Sequence, residues 1–397
     1  MAVKQSLVAL VLALAVAALP GLPPQACPAI PKSAQLTSDP KLPDPFSFFD
    51  SHRKVETKAE WACRREEIGQ LFQTYELGAL PPRPEKVTGS LANDTLTVNV
   101  THEGNSISFS VGVQVPTTGS GPFPAFIGMG GLSIPIPSDV AVLTFNNNDM
   151  ALQNDATSRG IGKFYQLYGV NATASAMMAW VWGVSRIIDV LEEVPGHANL
   201  DLTKLAVSGC SRDGKGALVT GAFEERIALT VVQESGSGGA GCWRISDAML
   251  AAGVVTQTAS EIVQENVWFS EAFAQYVNDT AILPFDHHML AGMVAPRGLL
   301  SIDNTGYDWL GPESVWGCMK TANKIYQALG IPDHMGESQA ANHTHCDFPA
   351  EQQPILDAFI GKFLKGEATN TSVLETADAP LGFVDSDWID WTVPKLH

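Results

Sequence analysis

The chain has 397 residues, with 24 Lys+Arg against 42 Asp+Glu, a formal net charge of −18 at pH 7. Apolar residues make up 45% and charged residues 17%, too apolar and too sparsely charged for a disordered chain. The acidic excess excludes a general nucleic-acid binder, which needs a Lys/Arg surplus to meet phosphates, and the length suffices for a large core.

Lys4 precedes an unbroken small-and-apolar run from Leu7 to Leu19. The run is shorter than the roughly 20 residues that span a bilayer. With Ala15-Val16-Ala17 as the cleavage site, the pattern reads as a secretory signal peptide over residues 1–17. A secreted, extracellular chain with no membrane partner is expected. Residues 18–50 are rich in proline and end in the aromatic stretch 46–49. They read as an extended N-terminal segment that a Cys27–Cys63 bridge would tether. Residues 51–397 are expected to form one domain. Residues 58–77 have helical spacing and stop at Gly78. Residues 95–100 and 106–115 alternate as strands, and 124–129 and 140–145 are apolar strands. A long amphipathic helix is expected over 172–194, with Asn171 as N-cap and Pro195-Gly196 as terminator. Strands at 204–208 and 227–233 flank a helix, 298–302 is a further strand, and 314–329 and 351–364 are helical. Strands alternating with helices predict an α/β fold with a mostly parallel sheet covered on both faces.

The six cysteines are Cys27, Cys63, Cys210, Cys242, Cys318 and Cys346. An even count in a secreted chain predicts three disulfides. No CxxC or Cys/His cluster has zinc-ligand spacing, so no metal is expected. N-x-S/T sequons begin at Asn93, Asn99, Asn171, Asn278, Asn342 and Asn370, which are glycosylation acceptor patterns.

The most informative segment runs from Lys204 through Gly209-Cys210-Ser211-Arg212-Asp213-Gly214-Lys215. A strand enters a sharp glycine-flanked turn and leaves as a helix, the setting of a nucleophile elbow. The G-x-S-x-G pattern is imperfect, because Asp213 stands at the second glycine position and Gly214 follows it. Ser211 at a helix start would have backbone N–H groups ready for an oxyanion. Its base must come from nine histidines. Cys210 precedes Ser211 and Cys346 follows His345. A disulfide holds its Cα atoms about 4.4–6.8 Å apart, so a Cys210–Cys346 bridge would seat His345 beside Ser211 and selects it over His343. Two carboxylates at strand ends compete for the acid: Glu234 after 227–233, and Asp303 after 298–302. The residues alone leave that choice open.

Gly236-Ser237-Gly238-Gly239-Ala240-Gly241 matches a dinucleotide fingerprint literally. The segment is rejected as a cofactor site, because no helix is expected after it, the chain is expected to be secreted, and no mononucleotide-binding half precedes it. It is expected to be a close-packed turn leaving space for substrate, and no cofactor is expected.

Gly209-Cys210-Ser211-Arg212, Val232-Gln233-Glu234-Ser235-Gly236, Asn304 to Trp309 and His345-Cys346-Asp347-Phe348-Pro349 together resemble the fungal glucuronoyl esterases of carbohydrate esterase family fifteen. The resemblance covers the chain from about Cys27 onward. It implies a three-layer α/β-hydrolase domain and a serine esterase cleaving esters between 4-O-methyl-D-glucuronic acid of glucuronoxylan and lignin alcohols. It implies Ser211 as nucleophile, His345 as base and Glu234, not Asp303, as acid. It assigns Arg212 to the oxyanion and Lys215, Gln257, Glu265 and Trp309 to the sugar. The disulfides it implies are Cys27–Cys63, Cys210–Cys346 and Cys242–Cys318. A lignin–carbohydrate ester or glucuronoxylan is then the expected partner, met by a monomer. Lys215 and Trp309 favour a charged sugar acyl group over the acetate or ferulate of other secreted carbohydrate esterases.

Overall fold

The computed structural model describes Cys27 and residues 35–376 and 381–397. The expected signal peptide lies outside the described residues, as does most of 18–34. The centre is a ten-stranded sheet in the order β1-β2-β3-β5-β4-β6-β7-β8-β9-β10. Its strands are β1 (Lys86–Ala92), β2 (Thr95–His102), β3 (Asn105–Gln114), β4 (Phe123–Met129), β5 (Ala141–Phe145), β6 (Leu200–Cys210), β7 (Ile227–Gln233), β8 (Gly298–Asn304), β9 (Met335–Ala340) and β10 (Leu374–Thr376). The pairs β1–β2, β2–β3 and β3–β5 are antiparallel. Every pairing from β5 to β10 is parallel.

Alternation along the parallel strands sends side chains to two apolar layers. Ala125, Ile127, Leu205 and Val207 join one core cluster with Trp180, Ala217 and Leu218. Phe126, Ala206, Leu229, Val231, Leu300 and Ile302 join a second with Leu356, Phe359 and Ile360. Helices Ala176–Glu193 and Arg212–Phe223 therefore cover one face and Gln353–Ile360 covers the other, giving the expected three-layer α/β-hydrolase arrangement. The helix Ala176–Glu193 is buried from Ala176 to Leu191, and no described helix is long and apolar enough to cross a membrane.

The expected helix at 58–77 forms as Lys58–Phe72, closed by a Thr57/Glu60 capping box, and continues as a π turn, Gln73–Leu77. It stops at Gly78, where φ is 76° and a Cβ would lie 1.9 Å from the Thr173 carbonyl oxygen. The 172–194 helix starts later than expected. Its N-cap is Ser175, whose side chain accepts from Met178 N–H at 3.2 Å, and not Asn171. Strands β1, β9 and β10 were not expected from the sequence.

Helices 176–193 and 212–223 meet at Gly216, where a Cβ would lie 2.7 Å from the fully buried Trp180 ring. That ring cannot withdraw, because its Nε1–H is bonded to Ala151 O at 3.1 Å. Gly216→Val is expected to destabilise the fold by about 1–3 kcal/mol, read as a lower midpoint in urea.

Candidate active site

Strand β6 ends at Cys210 and the helix Arg212–Phe223 begins two residues later. Ser211 lies between them with φ 59° and ψ −126°, a strained conformation for a non-glycine residue. Its N–H donates to Gln233 O at 2.9 Å and its carbonyl accepts Lys215 N–H at 3.0 Å. The turn is so tight that a Cβ on Gly209 would lie 2.5 Å from Asp213 O, and one on Gly214 2.7 Å from Gln233 O. This explains the imperfect motif. The close approach to β7 falls on Gly214, while Asp213 turns its carboxylate away to accept from Asn147 Nδ2 at 2.7 Å and Gln153 Nε2 at 3.2 Å. Burial raises the Asp213 pKa.

The Cys210–Cys346 disulfide joins residues 136 apart, with a Cα–Cα distance of 5.9 Å. It brings the 341–349 loop to the elbow. His345 Nδ1–H donates to Glu234 Oε2 at 2.7 Å. That bond places the ring proton on Nδ1 and leaves Nε2 as a lone pair. Nε2 is buried and has no hydrogen-bond partner among the described residues. Glu234 is fully buried at the end of β7, with φ 45° and its N–H on Ile302 O at 2.7 Å. The choice the residues left open is thus visible in the geometry: Glu234 meets His345. Asp303 instead accepts from Ser301 Oγ, and burial pushes its pKa up to about 7.

Ser211, Arg212, Lys215, Gln257, Glu265, Trp309 and His345 line one pocket of about 230 Å³ together with Ser235, Trp268 and Leu310. The wall is a chain of contacts. Trp309 meets the His345 ring edge-on at 4.9 Å and accepts Gln257 N–H on its carbonyl at 3.1 Å. Gln257 Nε2 donates to Glu265 Oε2 at 3.2 Å. Glu265 Oε1 lies 4.0 Å from Arg212 Nη2, and the Arg212 guanidinium sits 4.9 Å over the Trp268 ring.

Lys215 is 3% exposed, not a solvated helix lysine. Its ammonium donates to Ser235 O and to Ser237 O, the latter at 2.7 Å. Burial pulls its pKa down to about 7, against the opposing charges of Glu265 and Asp303. The glycine-rich turn 236–241 is its cradle: a Cβ on Gly239 would lie 3.1 Å from Lys215 Cγ. Behind the turn, His287 binds Gly239 O at 2.7 Å and Glu76 Oε1 at 2.9 Å.

A helix, Trp243–Ala251, does follow this turn, contrary to the expectation from sequence. The turn still cannot hold a pyrophosphate on that helix. The N–H groups of Trp243 and Arg244 donate to the Asp286 carboxylate at 2.8 and 3.1 Å, which occupies the anion position. Among the described residues the one close group of potential metal ligands is Cys210, His345 and Cys346, and both sulfurs are consumed by their disulfide.

The model of the family described as "Glucuronyl esterase, fungi" matches residues 98–330. The chain belongs to this family. It is 53% identical over 370 residues to the 4-O-methyl-glucuronoyl methylesterase of Hypocrea jecorina, covering 93% of this chain and 79% of that relative. The solved glucuronoyl esterase catalytic domain from the same organism superposes with a TM-score of 0.89 at 53% identity, covering 93% of this chain and 100% of that one. A serine-to-alanine mutant of the Sporotrichum thermophile enzyme, solved with methyl 4-O-methyl-β-D-glucopyranuronate, superposes with a TM-score of 0.90 at 45% identity, covering 94% and 100%. The chain is therefore a carboxylic ester hydrolase with the α/β-hydrolase fold.

Trp268 carried no sequence signal, and Asn304 and His343 were not expected beside Glu234. Trp268 lines the pocket with its Nε1–H on Gln153 Oε1 at 2.7 Å, yet it is one of nine tryptophans with no motif spacing. Asn304 Nδ2 reaches Glu234 Oε2 at 3.5 Å and His343 O at 3.1 Å. His343 itself contacts Glu234 Oε1 at 3.1 Å. The bridges Cys27–Cys63 and Cys242–Cys318 are both present.

Because Cys210–Cys346 closes a loop of this length, the C210S/C346S variant is expected to lose about 2–5 kcal/mol of stability. Its esterase rate should fall with it. Denaturant unfolding without reductant, beside a rate assay, checks both.

Proposed function

We propose that the chain is a secreted serine esterase that hydrolyses esters between 4-O-methyl-D-glucuronic acid of glucuronoxylan and lignin alcohols. The observation that carries the reading is the His345 Nε2 lone pair, buried without a partner in the pocket that Ser211 lines. A base already oriented by a carboxylate, next to a serine on an elbow, is the arrangement acyl transfer needs.

His345 Nε2 takes the Ser211 proton while Oγ attacks the uronoyl carbonyl. Glu234 holds the imidazole and stabilises its cation. The oxyanion is met by backbone N–H groups at the start of the Arg212–Phe223 helix and by the Arg212 guanidinium, whose charge persists at any working pH. His345 returns its proton to the leaving alcohol. Water activated by the same nitrogen then attacks the glucuronoyl-enzyme, and Ser211 is restored. Every proton transfer is served by the chain's own residues.

Lys215, Gln257, Glu265 and Trp309 bind the sugar in this reading. Two of the three ammonium N–H groups of Lys215 are used by Ser235 O and Ser237 O, which leaves one for a sugar oxygen. Trp309 offers a ring face to the pyranose. The apolar run that contains Ala15-Val16-Ala17 supports secretion, and a serine mutant of a relative was solved with a methyl glucuronate.

Ser211→Ala should reduce kcat on a benzyl or methyl ester of 4-O-methyl-glucuronic acid by roughly 10³-fold or more. A wild-type rate in that variant, or faster turnover of an acetylated sugar or a ferulate by the wild type, would overturn the assignment. Lys215 gives a second prediction with a definite sign. Its pKa of about 7 means that it is protonated below that value and neutral above. The neutral amine keeps two N–H groups, so the donor left for the sugar disappears. KM should rise roughly tenfold from pH 6 to pH 8.5, and Lys215→Met should flatten that rise.

A further inference from the structure

The two oxygens of Glu234 are served unequally. Oε2 accepts from His345 Nδ1 at 2.7 Å, from Cys346 N–H at 3.1 Å and more distantly from Asn304 Nδ2 at 3.5 Å. Oε1 accepts from His343 Nε2 at 3.1 Å. The Glu234 side chain is 1% exposed and that of His343 9%, so water has little access to stand in for the missing donor. The terminal torsion of a glutamate is broad. Donors crowded on one oxygen fix its distance but leave the plane of the carboxylate loosely set.

We propose that His343 is a positioning residue: its Nε2–H holds Oε1 and thereby turns Oε2 to His345. Residues two apart, as His343 and His345 are, lie on the same side of an extended chain. Here the loop bends at both ends, with φ of 62° at Asn342 and 68° at Cys346, and both rings reach one carboxylate. The same Asn304 amide that touches Glu234 also donates to the His343 carbonyl at 3.1 Å, so the loop and the carboxylate share an anchor. His343 touches no reacting atom; it acts through Glu234.

The proposal rests on the reading of Glu234 as the acid, and the test separates the two. His343→Leu should lower kcat by about tenfold to a hundredfold with KM changed by less than about twofold. Labelling of Ser211 by a fluorophosphonate should slow by the same factor and still reach one label per chain. His343→Gln, whose amide can donate to Oε1, should recover part of the rate. In a Glu234→Ala background His343→Leu should have no further effect. An equal factor in both backgrounds overturns the proposal. So does a reduced labelled fraction with an unchanged rate per labelled site, which marks a structural role only. If the leucine variant does not fold, His343→Asn, whose shorter amide cannot reach Oε1, is read in the same way. A wild-type kcat in Glu234→Ala would sink the underlying reading instead.

Discussion

The site depends on one covalent constraint. Serine and imidazole come from opposite ends of the sheet's C-terminal half, and nothing in the strand pairing alone would hold the 341–349 loop against the elbow. The Cys210–Cys346 bridge does so across 136 residues. Its ends are the immediate neighbours of Ser211 and His345, so the constraint acts where the reacting atoms are. Strain sits beside the bridge at one end and on it at the other: φ is 59° at Ser211 and 68° at Cys346. A bond that cannot be exchanged for water keeps two unfavourable backbones in place.

The parallel half of the fold was legible because its strands are short apolar runs ended by turn residues. The strands that escaped show why such reading has limits. β9, Met335–Ala340, is buried at every position yet holds Gly336, Glu337, Ser338 and Gln339. It carries polar side chains inside the protein, so hydropathy hides it. β1 has a single buried residue, Val87, and β10 is three residues at the sheet's edge. Their pairing comes from the ladder and not from their side chains.

The candidate site was legible in proportion to covalent proximity. Ser211 and His345 are each next to a cysteine, and the cysteines made the pairing argument possible. Glu234 needed a family resemblance, because two strand-end carboxylates are equivalent in sequence. Trp268 is joined to the site by contacts from a distant segment that no spacing announces, and the contacts of Asn304 and His343 with Glu234 are tertiary and invisible in sequence. The glycine-rich turn shows the reverse error. Its residues match a phosphate-binding pattern, but the amides that such a pattern needs are already bonded to Asp286. What defines an anion site is a free donor, and glycines only make room for one.

The net charge of −18 first served to exclude partners, and Lys215 gives it a local counterpoint. This lysine is a cation kept in an apolar, acidic surrounding at the edge of losing its proton. A uronic ester is neutral on arrival and becomes an anion when the bond is cut. A second permanent cation beside Arg212 would therefore favour what leaves over what enters. In the proposed role of Lys215, a charge that fades near neutrality would loosen the hold on the released acid on the alkaline side. In that role the burial of one ammonium would bear on turnover as well as on recognition.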